Sequence, residues 1–345
     1  MTLLDTPDAA APLRRPARIR LLWFVVSLIV LGLALLSSVA FGSRIVGWDA
    51  IVDGVSGLTD TIDQAAVYKR VPRTVLAAIV GAALAVSGTV MQGVTRNPLA
   101  DPGILGVNMG ASLAVVVGMT MFGLTTAVNT IWVAILGAAI SAVFVYLVGS
   151  LGRGGATPLK LALAGTATSA ALASLIIAVI LPRADVSEQF RSWQIGGVGG
   201  GSWDNIRQAG PFLLAGFVIS WLSARSLNSL ALGDDLAAGL GERVALVRGI
   251  SAAGAVLLCG AATAVTGPIM FVGLIVPHVC RLLVGLDHRL LMPFAALLGA
   301  SLLTVSDVVG RVVDRPSEID VGIITALIGA PFFIYIVRRQ KVREL

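Results

Sequence analysis

Charged residues are scarce in this sequence of 345 residues, and their scarcity sets the class of protein. Asp, Glu, Lys and Arg make up only 13% of the chain, whereas 57% of the residues are hydrophobic and the mean hydropathy is +0.92. A water-soluble domain carries about twice that share of charge, so the composition excludes one. The sequence predicts an all-α protein that crosses a membrane many times.

Cysteine and histidine are scarcer still. The two cysteines, Cys259 and Cys280, both lie in apolar segments, and the sequence has two histidines, His278 and His288. These numbers exclude a disulfide framework and a Cys/His metal cluster. We therefore expect no metal or other cofactor bound by this chain.

Clustered positive charge is also lacking, although the net charge is +6 and the isoelectric point is near 10.0. The arginines are scattered through short connections, and no basic stripe carries interleaved aromatic residues. Nucleic-acid binding is therefore not predicted. Arginines in short loops fit the positive-inside rule of membrane proteins better.

Long apolar runs are abundant. A spanning helix needs roughly 20 mostly apolar residues, and the first run, 21–41, lacks a clean signal-peptide cleavage site, so it is predicted to be a retained helix. The eighth run is short and contains Pro277, which suits a broken segment shielded by protein. Ten spans are predicted, at residues 21–42, 74–95, 103–123, 130–150, 160–181, 209–224, 246–267, 270–285, 290–308 and 321–338.

An even number of spans places both termini on the same side of the membrane. Arginines crowd both tails, residues 1–20 and 339–345, so both tails are predicted to be cytoplasmic, around one transmembrane domain at 21–338. This topology puts the stretch VTRNPLADP in the cytoplasm. It puts the segments 43–72 and 182–208 outside.

A repeated pattern of small residues occurs in the two halves. Shifting the sequence by about 179 residues aligns GAALAVSGTVMQG (81–93) with GAATAVTGPIMFV (260–272), with seven of thirteen positions identical, and Pro98 then falls on Pro277. Because five spans separate the two copies, their helices run in opposite directions, which predicts an inverted repeat. Chance similarity between Ala/Gly-rich helices is the alternative.

Ionisable groups are missing from the middle of the predicted spans. An ion-coupled transporter usually needs such groups to bind its driving ion, and a membrane enzyme needs a catalytic pair that we do not find. The run IGGVGGGS (195–202) lacks the Lys and Ser/Thr of a phosphate-binding loop and is predicted to be a flexible outer loop. A secondary transporter remains the alternative of another class, because it too uses inverted repeats.

Two polar stretches stand out beside the proline-rich elbow VTRNPLADPGILG (94–106). In KRVPR (69–73), arginines at the outer end of span two are either interfacial anchors or forks for carboxylates of a partner protein. In SLNSLALGDDLAAGLGERVA (226–245), Leu232, Leu236 and Leu240 are spaced for a short amphipathic helix. Such a helix lies on the membrane surface or enters a groove of a partner.

Several strings, in order, closely resemble the FecCD-type permeases. They are RVPRTVLAAIVGAALAVSGTVMQGVTRNPLADPGILGVNMGAS, LNSLALGDDLAAGLG, GPIMFVGLIVPHVCRLLVGLDHRLLMP and DVGIITALIGAPFFIYIVRR, and they extend from span two to the C-terminus. Members of that family are membrane subunits of ABC importers for ferric siderophores, cobalamin and heme. The sequences TRNPLADPGILGVN and VGLDHRLLMP are most similar to those of the ferric-siderophore branch. Heme or cobalamin is the alternative cargo.

The resemblance implies a type II ABC importer permease fold and a set of partners. These are a second permease subunit, two ABC ATPase subunits that bind and use ATP and Mg, and an extracytoplasmic substrate-binding protein. By resemblance, Arg70, Arg73 and Arg311 dock the binding protein. The residues matching the ATPase-coupling helix are Ala231, Leu232, Gly233, Asp234, Asp235, Leu236, Ala237, Ala238, Gly239, Leu240 and Gly241, and those matching the cytoplasmic gate are Asn97, Leu99, Thr157 and Pro158.

Overall fold

The computed structural model describes residues 16–124, 127–152 and 157–340, and these residues form α-helices and one 3-10 turn. The helices are α1 Ala17–Ala40, α2 Trp48–Val55, α3 Ile62–Thr95, α4 Val107–Phe122, α5 Ala127–Ser150, α6 Pro158–Ile180, α7 Ala184–Ile195, α8 Trp203–Leu230, α9 Asp234–Gly239, α10 Val244–Thr266, α11 Val272–Val284, α12 His288–Val313 and α13 Val321–Gln340; the 3-10 turn is Pro102–Leu105. The predicted tails lie mostly outside the described residues.

Ten of these helices correspond to the ten predicted spans. Seven are long and apolar enough to cross a membrane, and three more, in α4, α11 and α13, are shorter apolar helices. α11 has 13 residues, which is about 20 Å of helix and too little to cross the hydrocarbon core. The prediction of a short, broken eighth span is therefore confirmed. α4 is also short, and it begins after a turn at Gly106, whose φ is 68°.

The outer segments contain more helix than the sequence predicted. α3 begins at Ile62, well before the predicted residue 74, and continues through Pro72. A capping box between Thr61 and Gln64 fixes its start, and packing against α2 supports its first turns. α2 and α7 were not predicted. The predicted start of span two at residue 74 was therefore too late, because tertiary contacts offset the hydrogen bond that Pro72 removes.

Glycines let α3 lie at the centre of the bundle. A Cβ placed on Gly81 would lie 2.3 Å from the carbonyl oxygen of Gly299 in α12, and one on Gly88 would lie 1.9 Å from that of Gly273 in α11. Neither crossing has room for a side chain. Close backbone contact of this kind is how membrane helices associate without a hydrophobic drive between them.

The inverted repeat is visible in how the halves pack. Gly81 of α3 packs against α12, and Gly260, its counterpart in the repeat, lies in α10 and faces Ala138 of α5. The two prolines are not equivalent, however. Pro98 lies in the connection after α3, whereas Pro277 lies inside α11, because the first connection is longer than the second.

The connections gather at two ends of the bundle. One end, here called the arginine end, joins the segments 41–61, 196–202 and 314–320: Ser43 donates to Glu318 at 2.9 Å, and Gly201 packs against Arg73. The other, here called the elbow end, joins the segments 96–101, 231–243 and 285–287. This grouping agrees with the alternating topology predicted from the ten spans.

Candidate functional sites

Arg73 is the centre of a buried ion-pair cluster at the arginine end. Its Nη2 lies 2.7 Å from Oδ1 of Asp307 in α12, and its Nη1 lies 2.6 Å from Oε2 of Glu318 in the connection before α13. Its Nε also donates to Asp307. One guanidinium therefore joins α3, α12 and a loop in the geometry that suits a forked donor.

The other two predicted docking arginines cap the end of α1. Arg70 donates to the carbonyl oxygens of Val39 and Ala40 at 3.1 and 3.0 Å, and Arg311 donates to the carbonyl of Ser38 at 3.1 Å. The last carbonyls of a helix have no partner within the helix, so these arginines satisfy them. Arg311 also pairs with Asp307 at 2.9 Å and is only 1% exposed.

The structure thus brings Arg70, Arg73 and Arg311 together, but with partners inside the chain. Their role in docking a binding protein stays a prediction. The sequence reasoning missed Asp307 and Glu318 as their counter-charges. A signal for the first was present, since Asp307 and Arg311 are four residues apart on one helix face.

Glu318 is the part of this cluster that reaches solvent, with 34% of its side chain exposed. Burial alone would raise its pKa, but the hydrogen bond from Arg73 and the charge of that arginine lower the pKa below its usual range. The carboxylate is therefore held ionised at neutral pH.

The run IGGVGGGS also lies at the arginine end, and hydrogen bonds hold it more firmly than the sequence predicted. Gly197 donates to the carbonyl of Thr266 at 2.7 Å, and Gly322 donates to that of Gly196 at 2.9 Å. These bonds tie the run to α10 and α13. The prediction of a flexible outer loop was wrong in this respect.

The elbow is a chain of tight turns. The Asn97 side chain accepts from the backbone N–H of Leu99 at 3.0 Å, and that of Asp101 accepts from Gly103 at 2.8 Å. Such local bonds from Asn and Asp hold turns. The far end of the elbow is anchored where Asn108 of α4 accepts a hydrogen bond from Thr263 of α10 at 3.1 Å.

The other predicted gate residues lie at the start of α6. Thr157 is the N-cap, and its hydroxyl accepts from the backbone N–H of Lys160 at 3.4 Å, while Pro158 occupies the first turn. α6 packs against the 3-10 turn at the end of the elbow. The two predicted parts of the gate therefore lie on elements in contact.

The predicted coupling helix is present but short. α9 has six residues, Asp234–Gly239, and the flanking residues 231–233 and 240–241 are turns with positive φ at Gly233 (115°) and Gly241 (89°). The predicted range of Ala231 to Gly241 is thus a turn, a short helix and a second turn. Its three regularly spaced leucines, Leu232, Leu236 and Leu240, are 58%, 62% and 65% exposed.

Polar contacts join this segment to the rest of the elbow end. Asp234 pairs with Arg96, which ends α3, and with Arg248 of α10, whose Nη2 lies 2.9 Å from its Oδ1. Nearby, Asn228 of α8 donates to Asp287 at 2.7 Å. The sequence reasoning did not find these contacts, because Arg96 and Asp287 are far in the chain from their partners and the nearer pair of Asp234 with Arg248 joins two different helices.

These features together define a class: a multi-pass helical membrane protein with an inverted repeat, short apolar helices beside the long ones, and an exposed apolar segment at one end. The profile of the FecCD transport family matches residues 28–339. The chain belongs to the FecCD transport family.

Relatives and a solved structure agree with this assignment. The chain is 41% identical to the ferric enterobactin transport system permease protein FepD of Escherichia coli (strain K12) over 315 residues, covering 91% of this chain and 94% of the relative. It is 41% identical over 325 residues to the iron(3+)-hydroxamate import system permease protein FhuB of Bacillus subtilis (strain 168), covering 92% and 84%. A structure described as an inward-facing conformation of a metal-chelate type ABC transporter matches with a TM-score of 0.79 at 27% identity, covering 93% of this chain and 98% of that one.

Proposed function

We propose that this chain is the permease subunit of an ABC importer that carries a ferric siderophore across the bacterial cytoplasmic membrane into the cell. The observation that carries the proposal is the exposed leucine row of the 231–241 segment on a FecCD-type fold. Three exposed leucines in a short segment at the elbow end suit burial against a protein partner. An ABC ATPase with a surface cleft is the partner that the family resemblance implies.

The transport route runs between this chain and a second permease subunit, identical or different. Its walls are α6 and α13, the fifth and tenth spans. α6 supports this assignment because the middle of its exposed surface, between Leu163 and Leu175, consists of small and polar residues such as Thr166 and Ser174. A lining of small residues lets a bulky chelate pass without being held.

The energy comes from ATP and Mg bound by two ATPase subunits, and this chain holds no cofactor of its own. Closure of the ATPases pushes on the 231–241 segment, and the push reaches the gate at Asn97, Leu99, Thr157 and Pro158 by rigid-body movement. Both termini lie in the cytoplasm with the elbow end. The arginine end faces outward, where Arg70, Arg73 and Arg311 form the base of the surface that receives the binding protein.

Co-purification tests the assembly. The tagged chain, expressed with the genes that neighbour its own, should bring down an ATPase, a permease and a binding protein, which mass spectrometry identifies. In proteoliposomes the complex should take up a ferric siderophore only with ATP, and heme and cobalamin should not compete. Uptake driven by a proton or sodium gradient without an ATPase would contradict the proposal, and preferential uptake of heme or cobalamin would contradict the cargo.

A further inference from the structure

Asp234 stands at a junction of three helices at the elbow end. It is the first residue of α9, and it accepts hydrogen bonds from Arg96 at the end of α3 and from Arg248 of α10 on the same oxygen, Oδ1. Asp at the start of a helix commonly caps the backbone of that helix. Here the N-cap is Gly233 and makes no side-chain cap, and the Asp234 carboxylate is turned toward the two arginines.

The two arginines link Asp234 to different halves of the molecule. Arg248 lies in the second turn of α10, just after α9, so this pair spans only 14 residues of sequence. Arg96 lies 138 residues away and belongs to the first half of the repeat. The contact between Asp234 and Arg96 therefore joins the coupling segment to the elbow of the opposite half.

Arg96 and Arg248 are favoured to lie side by side only while the Asp234 carboxylate is between them. Arg96 lies in a left-handed conformation with φ 49°, which is uncommon for a residue with a side chain. Burial lowers its pKa, and so does the positive charge of Arg248, although an arginine stays protonated in either case. The two guanidiniums repel each other, and the carboxylate between them holds both.

The elbow can transmit a displacement of Arg96 because it is stiff. Asn97, the next residue, holds Leu99 through its side chain, and its carbonyl accepts from the N–H of Ala100 at 3.0 Å. Further bonds continue to Gly106, whose N–H donates to the carbonyl of Gly103 at 2.8 Å. At the far end, Asn108 is bonded to α10. A push on Arg96 therefore reaches Asn97 and Leu99 through a turn that its own backbone and side-chain hydrogen bonds hold together.

We propose that the Arg96–Asp234 pair is the link through which movement of the coupling segment reaches the gate, and that Arg96 is a positioning residue for the transport step. This inference rests on the proposed function. It goes beyond it by naming the contact that joins the two sites. Arg248 keeps Asp234 attached to its own half, so the carboxylate moves with α9.

The stability of the fold does not depend on this pair. Asp234 is 47% exposed and Arg96 is 32% exposed at the side chain. Ion pairs with this exposure contribute little, about 0–1 kcal/mol. Neutral variants should therefore fold and insert as the unmodified chain does, and Arg96→Gln, which lies outside the 231–241 segment, should also bind the ATPase normally. The transmission role is thus separable from a structural one.

The test measures the movement of the gate directly in the purified complex with its ATPases. Leu99→Cys supplies a reporter, because the native Cys259 and Cys280 are buried, at 2% and 0% exposure. Its labelling rate with a water-soluble maleimide is compared without nucleotide and after trapping with ATP, Mg and vanadate. The reporter alone should change its rate about fivefold or more between the two states, the lower end of typical couplings between sites.

In the reporter background, Arg96→Gln should remove most of the nucleotide dependence of labelling while ATP hydrolysis continues, and Asp234→Asn should remove a similar share of that dependence. The double variant should be no worse than either single one, since both changes break one contact. Arg96→Lys should keep most of the effect because it keeps the charge. Arg225→Gln is the matched control. Arg225 is exposed and lies near the C-terminal end of α8, at the elbow end, and its substitution should leave the nucleotide dependence of labelling unchanged from that of the reporter alone.

Three results would overturn the inference. The first is an unchanged nucleotide dependence of labelling in Arg96→Gln. The second is additive losses of that dependence in the double variant. The third is loss of ATP hydrolysis together with the nucleotide dependence in Arg96→Gln, which would place the pair in ATPase binding. A reporter that shows no nucleotide dependence without any charge change would instead overturn the proposed gate itself, and the inference with it.

Discussion

Arg73 and Asp307 lie 234 residues apart in the chain, yet they form a forked ion pair with Nη2–Oδ1 and Nε–Oδ1 distances of 2.7 and 3.1 Å. The Asp307 side chain is 2% exposed, and its other oxygen pairs with Arg311. A single carboxylate therefore balances two guanidiniums between α3 and α12. The pair joins α3 to α12 at the arginine end of the bundle.

Asp307→Asn should destabilise the protein strongly. The substitution leaves Arg73 and Arg311 without their shared counter-charge, and breaking a buried pair typically costs about 3–5 kcal/mol. Thermal unfolding in detergent, followed by the loss of the monodisperse peak in size-exclusion chromatography, measures the change. Asp204→Asn breaks the exposed pair with Arg207, where both side chains are more than 70% exposed, and should leave the midpoint nearly unchanged. Equal midpoints for the two variants would contradict this reading.

Glu318 should make the arginine end sensitive to acid. Its pKa is lowered in the folded protein by Arg73, so its contribution to stability is present above the pKa of an unfolded glutamate, near 4.5, and is lost as pH falls through the lowered value. Glu318→Gln should lower the unfolding midpoint at pH 7. The difference between the variant and the unmodified protein should shrink on acidification below about pH 4.5. A difference that is constant with pH would mean that the ion pair contributes nothing.

Gly88→Ala should prevent the close crossing of α3 and α11. The added methyl group would lie 1.9 Å from the carbonyl oxygen of Gly273, so a backbone must shift. Overpacking of this kind typically costs about 1–3 kcal/mol or more. The yield of folded protein and its unfolding midpoint measure the loss. Gly249→Ala, on α10 where a Cβ meets no atom within 4 Å, is the matched control and should be neutral or stabilising by up to about 1 kcal/mol.

Leu236→Glu should separate the permease from its ATPase without unfolding it. The side chain is 62% exposed in the free chain, so a charge there costs little before assembly, whereas it would be buried in a partner's cleft afterwards. Pull-down of the ATPase should fall by about tenfold or more, which corresponds to 1.4 kcal/mol or more of binding free energy. Leu58→Glu, 47% exposed at the arginine end, serves as the control. Undiminished pull-down by the Leu236 variant would show that this leucine lies outside the interface.

The docking prediction for the arginines is best tested against Lys69. That lysine is exposed in the same KRVPR stretch, whereas Arg70 and Arg73 are bound inside the chain. If the arginines hold the binding protein, Arg73→Gln should weaken its capture by the purified importer at physiological salt, and Lys69→Gln should not. Capture is expressed per folded importer, taken from the monodisperse peak in size-exclusion chromatography, because Arg73→Gln also breaks the pair with Asp307. The reverse order of effects would assign docking to the surface lysine.

Local sequence patterns predict the ten membrane helices, the short eighth one among them, and the turns of the elbow. These features depend on local patterns: apolar runs long enough to span, and Asn97, Asp101 and Gly106 where the backbone turns. Family resemblance then supplied the transport class. The positions of Leu232, Leu236 and Leu240 on an exposed segment also follow from their spacing.

Which charges meet depends on how the helices pack. α3 continues through Pro72 because it packs against α2, which a local rule for proline misses. The pairs of Asp307 with Arg73 and of Asp234 with Arg96 form because backbone contacts such as Gly81 with Gly299 bring distant helices together. Periodicity along one helix carries no information about such partners, since the other charge lies more than a hundred residues away.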